Sequence, residues 1–319
     1  MTQKTDTRPR RRRDPADAGT KPPATFTAFG LAAEAEAIEP GLHVVATPIG
    51  NLKDVSFRAL ATLAAADAVL AEDTRVTRTL LMHYGITTPL VAYHEHSNAA
   101  VRERMVARML AGEALALVSD AGTPLVSDPG FKLVQAAIEA GVLITPIPGP
   151  SAVMTAIVAA GLPTDRFFFE GFLPAKSGAR RNRLETLGQI PCTLVLFESP
   201  HRLPEMLVDA AETLGGARPA AVARELTKLY ETIRRGSLAE LAATFAEEGP
   251  PKGEVVVIIG THDVAPDAAA TDAGIDAALA AALARHSIKD AATLVAEETG
   301  QPRRAVYARA LALARRDDA

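Results

Sequence analysis

Along the chain, short runs of apolar residues alternate with stretches in which apolar positions recur every three or four residues. The first clear run, Leu42-His43-Val44-Val45-Ala46, ends in Thr47-Pro48-Ile49-Gly50-Asn51-Leu52, the pattern of a strand entering a tight loop. Ser56 then opens a helix carrying Leu60 and Leu63, Ala68-Val69-Leu70 reads as a strand, and Thr77 to Tyr84 as a helix. A helix from Asn98 to Leu110, a strand from Ala114 to Val118, a helix from Phe131 to Ala140 stopped by Gly141 and a strand from Val142 to Pro146 continue the alternation. Strands that alternate with helices predict an α/β architecture with a largely parallel sheet covered on both faces.

A helix from Ser151 to Ala160, closed by Gly161 and Pro163, leads into a second α/β unit. Its predicted strands are Arg166 to Phe169, Thr193 to Phe197, Ala220 to Arg224, Glu231 to Gly236 and Val255 to Ile259; helical spacing fills Arg180 to Leu187, Leu203 to Leu214 and Leu238 to Glu247. From Val264 to Thr271 the composition turns to Ala, Asp and Pro, a linker. Three short helical patterns follow, Gly274 to Arg285, Ser287 to Thr299 and Gln301 to Leu313, in a helix-turn-helix outline. Before Gly41 there is no periodic apolar spacing, and Arg8 and Arg10 to Arg13 make this stretch read as a disordered basic arm. The expected divisions are 1–40 (arm), 41–160 and 161–262 (α/β domains), 263–273 (linker) and 274–319 (helical appendage).

Composition narrows the class. With 48 % hydrophobic residues in 319, the chain can bury more than one core. A net charge of -4 gives no global pull on nucleic acid, so a polyanion would have to be met by local basic patches. The single cysteine, Cys192, excludes an intrachain disulfide and a cysteine-built zinc site, which fits a reducing, cytoplasmic setting. No apolar run reaches membrane-spanning length.

The chemistry concentrates in loops that follow strands. Pro48-Ile49-Gly50-Asn51 is not the G-x-G-x-x-G dinucleotide fingerprint, but a loop at the carboxyl end of a parallel strand is where α/β folds place ligands. Ser119 to Gly130 (SDAGTPLVSDPG) is rich in small residues that leave backbone groups open to a ligand, or else simply shapes a long turn. In Pro148-Gly149-Pro150-Ser151-Ala152, Ser151 can cap the next helix, contact a ligand, or do both. His94-Glu95-His96 lacks a further spaced ligand and reads as loop histidines rather than a metal set.

Six segments carry a family resemblance in order and spacing: Ala46-Thr47-Pro48-Ile49-Gly50-Asn51-Leu52, Glu72-Asp73-Thr74-Arg75, Ser119 to Gly130, Pro148 to Ala152, Glu170-Gly171-Phe172-Leu173-Pro174 and Phe197-Glu198-Ser199-Pro200-His201-Arg202. From about Gly41 to Gly260 the chain resembles the bacterial cytidine-2′-O-methyltransferases of small-subunit ribosomal RNA, of the tetrapyrrole-methylase superfamily, and the terminal helices resemble that family's appendage. The resemblance implies two α/β domains with S-adenosyl-methionine in a cleft between them, no metal, a homodimer, and 16S rRNA in the small ribosomal subunit as substrate. Carried over by motif, it implies cofactor contacts at Pro48, Gly122, Thr123, Val126, Ser151 and Ala152, and further ones at Phe197, Leu226 and Pro251. Where related methylases have Gly-Asp-Pro this chain has Gly122-Thr123-Pro124, so a ribose-binding carboxylate is either missing or supplied by Asp120.

Methyl transfer to a ribose hydroxyl needs an in-line approach and a group that takes the proton. Asp73 and Arg75 follow one strand end, Glu198 another and Lys228 a third; these four form the candidate catalytic neighbourhood, with structural ion pairing the competing reading of Asp73 and Arg75. Lys176, Arg180, Arg181 and Arg183, and separately Arg303, Arg304 and Arg309, are clusters suited to phosphate or to a solvated helix face. Two rivals stand beside RNA methylation: C-methylation of a tetrapyrrole precursor on the same fold, and a non-catalytic RNA-binding ribosome assembly factor.

Overall fold

The computed structural model describes residues 23–94, 97–128, 130–261, 272–299 and 301–317. The arginines of the basic arm, the Glu95-His96 pair and most of the expected linker lie outside the described residues. Two compact units are present, one running through Thr155 and including Leu226–Leu229, the other taking Ala156–Glu225 and continuing from Tyr230.

The first unit opens with a β-hairpin, β1 (Thr25–Ala28) and β2 (Leu31–Glu34), paired antiparallel. This corrects the expectation of a structureless arm through residue 40. Its alternation is too short to register as a strand pattern, but Phe26 is buried in the core and Thr27 N–H donates to Tyr84 O at 2.7 Å. The main sheet follows: β3 (Gly41–Val45), β4 (Ala68–Ala71), β5 (Leu90–Ala92), β6 (Ala114–Leu117) and β7 (Ile144–Ile147), in the order β5-β4-β6-β3-β7 and parallel throughout. Helices α1 (Phe57–Ala65), α2 (Thr74–His83), α3 (Ala99–Leu110), α4 (Phe131–Glu139) and α5 (Ala152–Ala160) connect and follow the strands.

Period-two alternation divides the strands between two cores. Val45, Val69, Ala71, Ala116 and Val118 pack with α1 and α2 through Leu60, Leu63, Leu80 and Leu81. Leu42, Val44, Leu70, Leu115 and Leu117 pack with α3 and α4 through Met105, Met109 and Leu133. Both faces are thus covered, as a parallel sheet requires. Helix α2 begins three residues before the apolar pattern does because Asp73 caps it, its carboxylate accepting the Arg75 N–H at 2.8 Å.

The second unit holds a mixed sheet, β8 (Phe167–Phe172), β9 (Thr193–Glu198), β10 (Pro219–Arg224), β11 (Thr232–Ser237) and β12 (Val255–Ile259), ordered β11-β10-β12-β9-β8. Only β8 and β9 are parallel among these pairs, with a register shift between Phe169 and Gly171. Helices α6 (Ser177–Gly188), α7 (Leu203–Leu214) and α8 (Leu238–Glu248) enclose one core with Leu194, Leu196, Val222 and Val257. Helices α9 (Asp272–Leu283), α10 (Ile288–Thr299) and α11 (Arg303–Asp317) share a small core of Ile275, Leu279, Val295 and Val306.

Candidate functional site

Three loops at the carboxyl ends of β3, β6 and β7 are tied together by their backbones. Thr47 N–H donates to Gly122 O at 2.8 Å and Gly122 N–H returns to Thr47 O at 3.0 Å. Thr47 Oγ1 donates to Ser119 O at 3.2 Å, and Thr123 Oγ1 donates to Pro150 O at 3.3 Å. Gly122 has φ +79°, and a Cβ there would stand 3.3 Å from Ile49 Cγ2, so the turn requires glycine. Pro48, Gly122, Thr123, Ser151 and Ala152 are therefore brought onto one edge of the sheet. Val126 lies on the same loop between Leu125 and Ser127, both left-handed at φ 73° and 63°. Non-glycine residues persist in that conformation only where surrounding structure holds them, and such strain gathers at ligand sites.

Beside these loops runs a groove of about 420 Å³, lined by Ile49, Asp54, Gly149, Pro150, Ser151, Met154, Thr155 and Thr227. Thr227 arrives on the segment that follows β10: its Oγ1 accepts the Asn51 N–H at 3.1 Å, and its φ is +65°. Leu226 before it is buried, and Lys228 after it lies so close over Gly50 that a Cβ there would fall 2.4 Å from Lys228 Cγ. Gly50 thus permits the contact that seats Lys228. A volume of this order accommodates a nucleoside-sized ligand. One carboxylate, three hydroxyls and an apolar wall of Ile49 and Met154 suit an amphipathic cation with an amino-acid tail, so the residues present fit S-adenosyl-methionine.

The ends of β4 and β6 carry crowded carboxylates. Asp120 Oδ1 accepts the Asp73 N–H at 3.0 Å. Burial first, then the negative charge of Asp120, raises Glu72. Asp128 is pushed up to about 6 by burial, held back by the Ser119 hydroxyl and raised further by Glu72 and Asp120. Asp73 behaves oppositely. Arg75 grips it with Nε and Nη2 at 3.0 and 2.6 Å, and this hydrogen bonding draws its carboxyl down to about 2. So weak a base does not take a proton from a hydroxyl near neutrality. The geometry gives Asp73 the work of a helix cap and Arg75 an outward-facing guanidinium.

The remaining sequence candidates lie in the second unit. Glu198, at the end of β9, has a fully buried side chain whose Oε1 accepts the Ser199 N–H at 2.7 Å and lies 3.3 Å from Arg202 Nε. Burial raises its pKa, with the Ser199 amide and Arg202 acting against that rise. Phe197 packs edge-on against Phe169 and Phe172, with ring centroids 4.9 and 5.7 Å away. Pro251 borders a smaller cavity of about 190 Å³ with Arg224, Arg234 and Phe245. The basic stretch of α6 is largely neutralised: Arg180 is buried on Asp209, Arg181 pairs with Asp209 and Glu212, and Arg183 forks onto Glu170 at 2.6 and 2.7 Å. Arg309 is spent on Asp276, whereas Arg303 and Arg304 are exposed.

Residue reasoning missed Asp54, Met154, Thr155 and Thr227 as groove lining and Asp128 as a carboxyl pushed up to about 6. Thr227 and Asp128 adjoin or lie within segments already singled out, but what marks them is left-handed backbone in the one and burial beside other carboxylates in the other, which spacing does not display.

Comparisons with known proteins bear on both units. A family model described as tetrapyrrole (corrin/porphyrin) methylases matches residues 41–242, and one described as the RsmI C-terminal HTH domain matches residues 268–314. The chain is 50% identical over 279 residues to the ribosomal RNA small subunit methyltransferase I of Mesorhizobium japonicum, covering 88% of this chain and 94% of that protein. It is 52% identical over 272 residues to the protein of that name from Xylella fastidiosa strain Temecula1, covering 84% and 98%. Among solved structures, uroporphyrin-III C-methyltransferase from Thermus thermophilus, complexed with S-adenosyl-homocysteine, shares the fold at a TM-score of 0.50 and 19% identity, covering 69% of this chain and 97% of that one.

Proposed function

The chain belongs to the tetrapyrrole (corrin/porphyrin) methylase family, and from that premise we propose that it transfers the methyl group of S-adenosyl-methionine to a cytidine ribose 2′-hydroxyl of 16S rRNA in the small subunit, as a cytoplasmic homodimer. It is a methyltransferase, and its ribosomal RNA substrate class is that of relatives identical at about half their positions over most of both chains. The observation that carries the cofactor assignment is the groove at the β3 and β7 loop ends, where Asp54, Ser151, Thr155 and Thr227 stand around an apolar wall.

When bound, the cofactor supplies an electrophilic methyl on a sulfonium. Ser151, Thr155 and Asp54 hold its polar parts and Ile49 and Met154 its apolar ones. Gly50 admits Lys228 and Gly122 admits Ile49 at close range, and Lys228, seated on Gly50, would direct a cation to the RNA phosphate or the developing alkoxide. The hydroxyl proton passes to the carboxylate edge; Asp128, which ionises at about 6, is matched to this task far better than Asp73. Arg75 presents its guanidinium to RNA phosphate.

The test is methyl transfer from labelled cofactor to small subunits from a strain lacking the gene, with mass spectrometry of the product nucleoside. Label on a cytidine ribose supports the assignment. Label on a base, on a tetrapyrrole, or on neither while RNA still binds overturns it.

A further inference from the structure

The hairpin that opens the first unit turns through Phe29 and Gly30 at φ 53° and 76°. A two-residue turn of this hand favours Asn, Asp or Gly, because left-handed backbone crowds a Cβ. Phe29 gains no burial in return, for it is 91% exposed. Its ring is not idle: it stands 5.9 Å from that of Phe57, centroid to centroid, at 56°. Phe57 is the first residue of α1 and is itself 60% exposed. The root of the hairpin is secured by buried Phe26 and by the Thr27 bond to Tyr84, so the tip is held out rather than left loose.

We propose that the Phe29–Phe57 ring pair is a stacking platform for unpaired bases of the RNA substrate, flanking the nucleotide presented to the cofactor at the mouth of the groove. The proposal rests on the RNA methylation reading above. Flat rings with open faces accept any base, and single-stranded RNA is gripped by such rings set among cations. Lys53 and Arg58, both exposed, bracket Phe57 in the chain. The same short segment supplies Asp54 to the groove wall, only three residues before Phe57, which limits the span between groove and platform to roughly 11 Å. Segment Asn51–Phe57 is fixed on both sides, by Tyr84 Oη donating to Leu52 O at 2.7 Å and by Ser56 Oγ donating to Pro148 O at 3.4 Å. An exposed apolar pair held at the rim of a polar groove thus has an occupant of matching chemistry, a base whose phosphates meet Lys53 and Arg58.

The experiment compares the full chain with Phe29→Asn, Phe57→Ala, the double variant and Phe29→Trp. Binding of a fluorescein-labelled single-stranded fragment of the target RNA is followed by anisotropy at two salt concentrations, alongside cofactor affinity, Tm and sedimentation. The double variant is expected to bind RNA about tenfold more weakly, about 1.4 kcal/mol, with cofactor affinity unchanged. Its salt slope stays the same because no phosphate contact is removed. Phe29→Asn is expected to melt no lower than the parent, which removes misfolding as a cause, and Phe29→Trp restores binding. RNA affinity within twofold of the parent, or a dimer that the double variant dissociates, overturns the proposal. If the parent binds the fragment through these rings but methylates no RNA, the platform stands and the catalytic reading falls.

Discussion

Charge is handled in opposite ways in the two units. In the second, cations and carboxylates are largely matched: Arg180 with Asp209, Arg183 with Glu170 and Arg234 with Glu248, with Glu198, raised by burial beside Arg202, the exception. At the strand ends of the first, burial raises Glu72 and Asp128 and the neighbouring charge of Asp120 raises both further, and Leu125, Ser127 and Thr227 hold left-handed backbone. Matched charge is the signature of residues selected for stability, whereas uncompensated charge and strain persist where a ligand completes the set. The contrast supports the proposed placing of the chemistry at the first unit's loop edge and a structural role for the paired α6 arginines.

The strongest way to break that contrast is to spoil a matched pair. Arg180→Ala removes the buried cation from buried Asp209, leaving it only the partly exposed Arg181 and the Ser177 hydroxyl. Stripping one member of a buried pair costs about 3–5 kcal/mol, which lowers Tm by roughly 10 °C in a chain of this size. Thermal denaturation of Arg180→Ala beside the Arg180→Met, Asp209→Leu double variant checks it: the double variant, having no orphaned charge, recovers most of the loss. A single variant melting within about 2 °C of the parent would return Arg180 to the RNA-facing candidates.

Next in size comes Gly122→Ala. It forces a side chain into φ +79° and against Ile49 at the bridge joining the β3 and β6 loops. Left-handed backbone costs an L-residue about 1–2 kcal/mol, so Tm drops by only a few degrees. Displacement of the loops is expected to weaken cofactor binding at least tenfold, measured by calorimetry. Unchanged affinity would move the cofactor away from this edge.

That edge was only partly legible in the sequence. The strands of both sheets could be read because runs such as Thr193 to Phe197 are apolar throughout and helices such as α1 carry their caps beside their periodicity. The short strand β5 and the β1–β2 hairpin escaped because three or four residues hold too little pattern, and what fixes them is pairing with distant chain. Among site residues, Gly122 and Ser151 showed through the density of small residues around them. Asp128 and Thr227 did not, since burial, with Glu72 and Asp120 alongside, raises the one, and the left-handed φ of the other shows only where its segment meets Asn51.

Asp128→Asn sharpens the contrast in sign. Its folded pKa of about 6 lies above the ordinary 3.8, so below pH 4 the group is neutral in both states and has no effect. Between pH 4 and 6 the unfolded chain ionises first, and above pH 6 the folded protein carries a carboxylate it disfavours. Asparagine removes that penalty. At pH 7.5 the variant is expected to be more stable by about 1 kcal/mol, allowing for solvent screening of a partly exposed group, and no more stable at pH 4. Methyl transfer should fall, and the acid limb of its pH profile near 6 should disappear. A variant both less stable and fully active would place Asp128 among matched structural charges.

The smallest expected change in stability separates two helix caps that look alike. Ser237 caps α8 in a complete capping box, its Oγ accepting the Glu240 N–H at 3.2 Å, and Ser237→Ala should lose about 1 kcal/mol. Asp73 caps α2 as well, but its bonds to Arg75 are exposed and worth little, and removing it relieves the charge it places on Glu72. Asp73→Ala is therefore expected to leave Tm nearly unchanged while releasing Arg75 from its fixed orientation. Methyl transfer should then fall well beyond any change in cofactor affinity, because the guanidinium no longer points where the carboxylate held it. If instead Asp73→Ala melts as far below the parent as Ser237→Ala and methylates normally, the two caps are equivalent, and the loop edge of the first unit is narrower than the charge pattern implies.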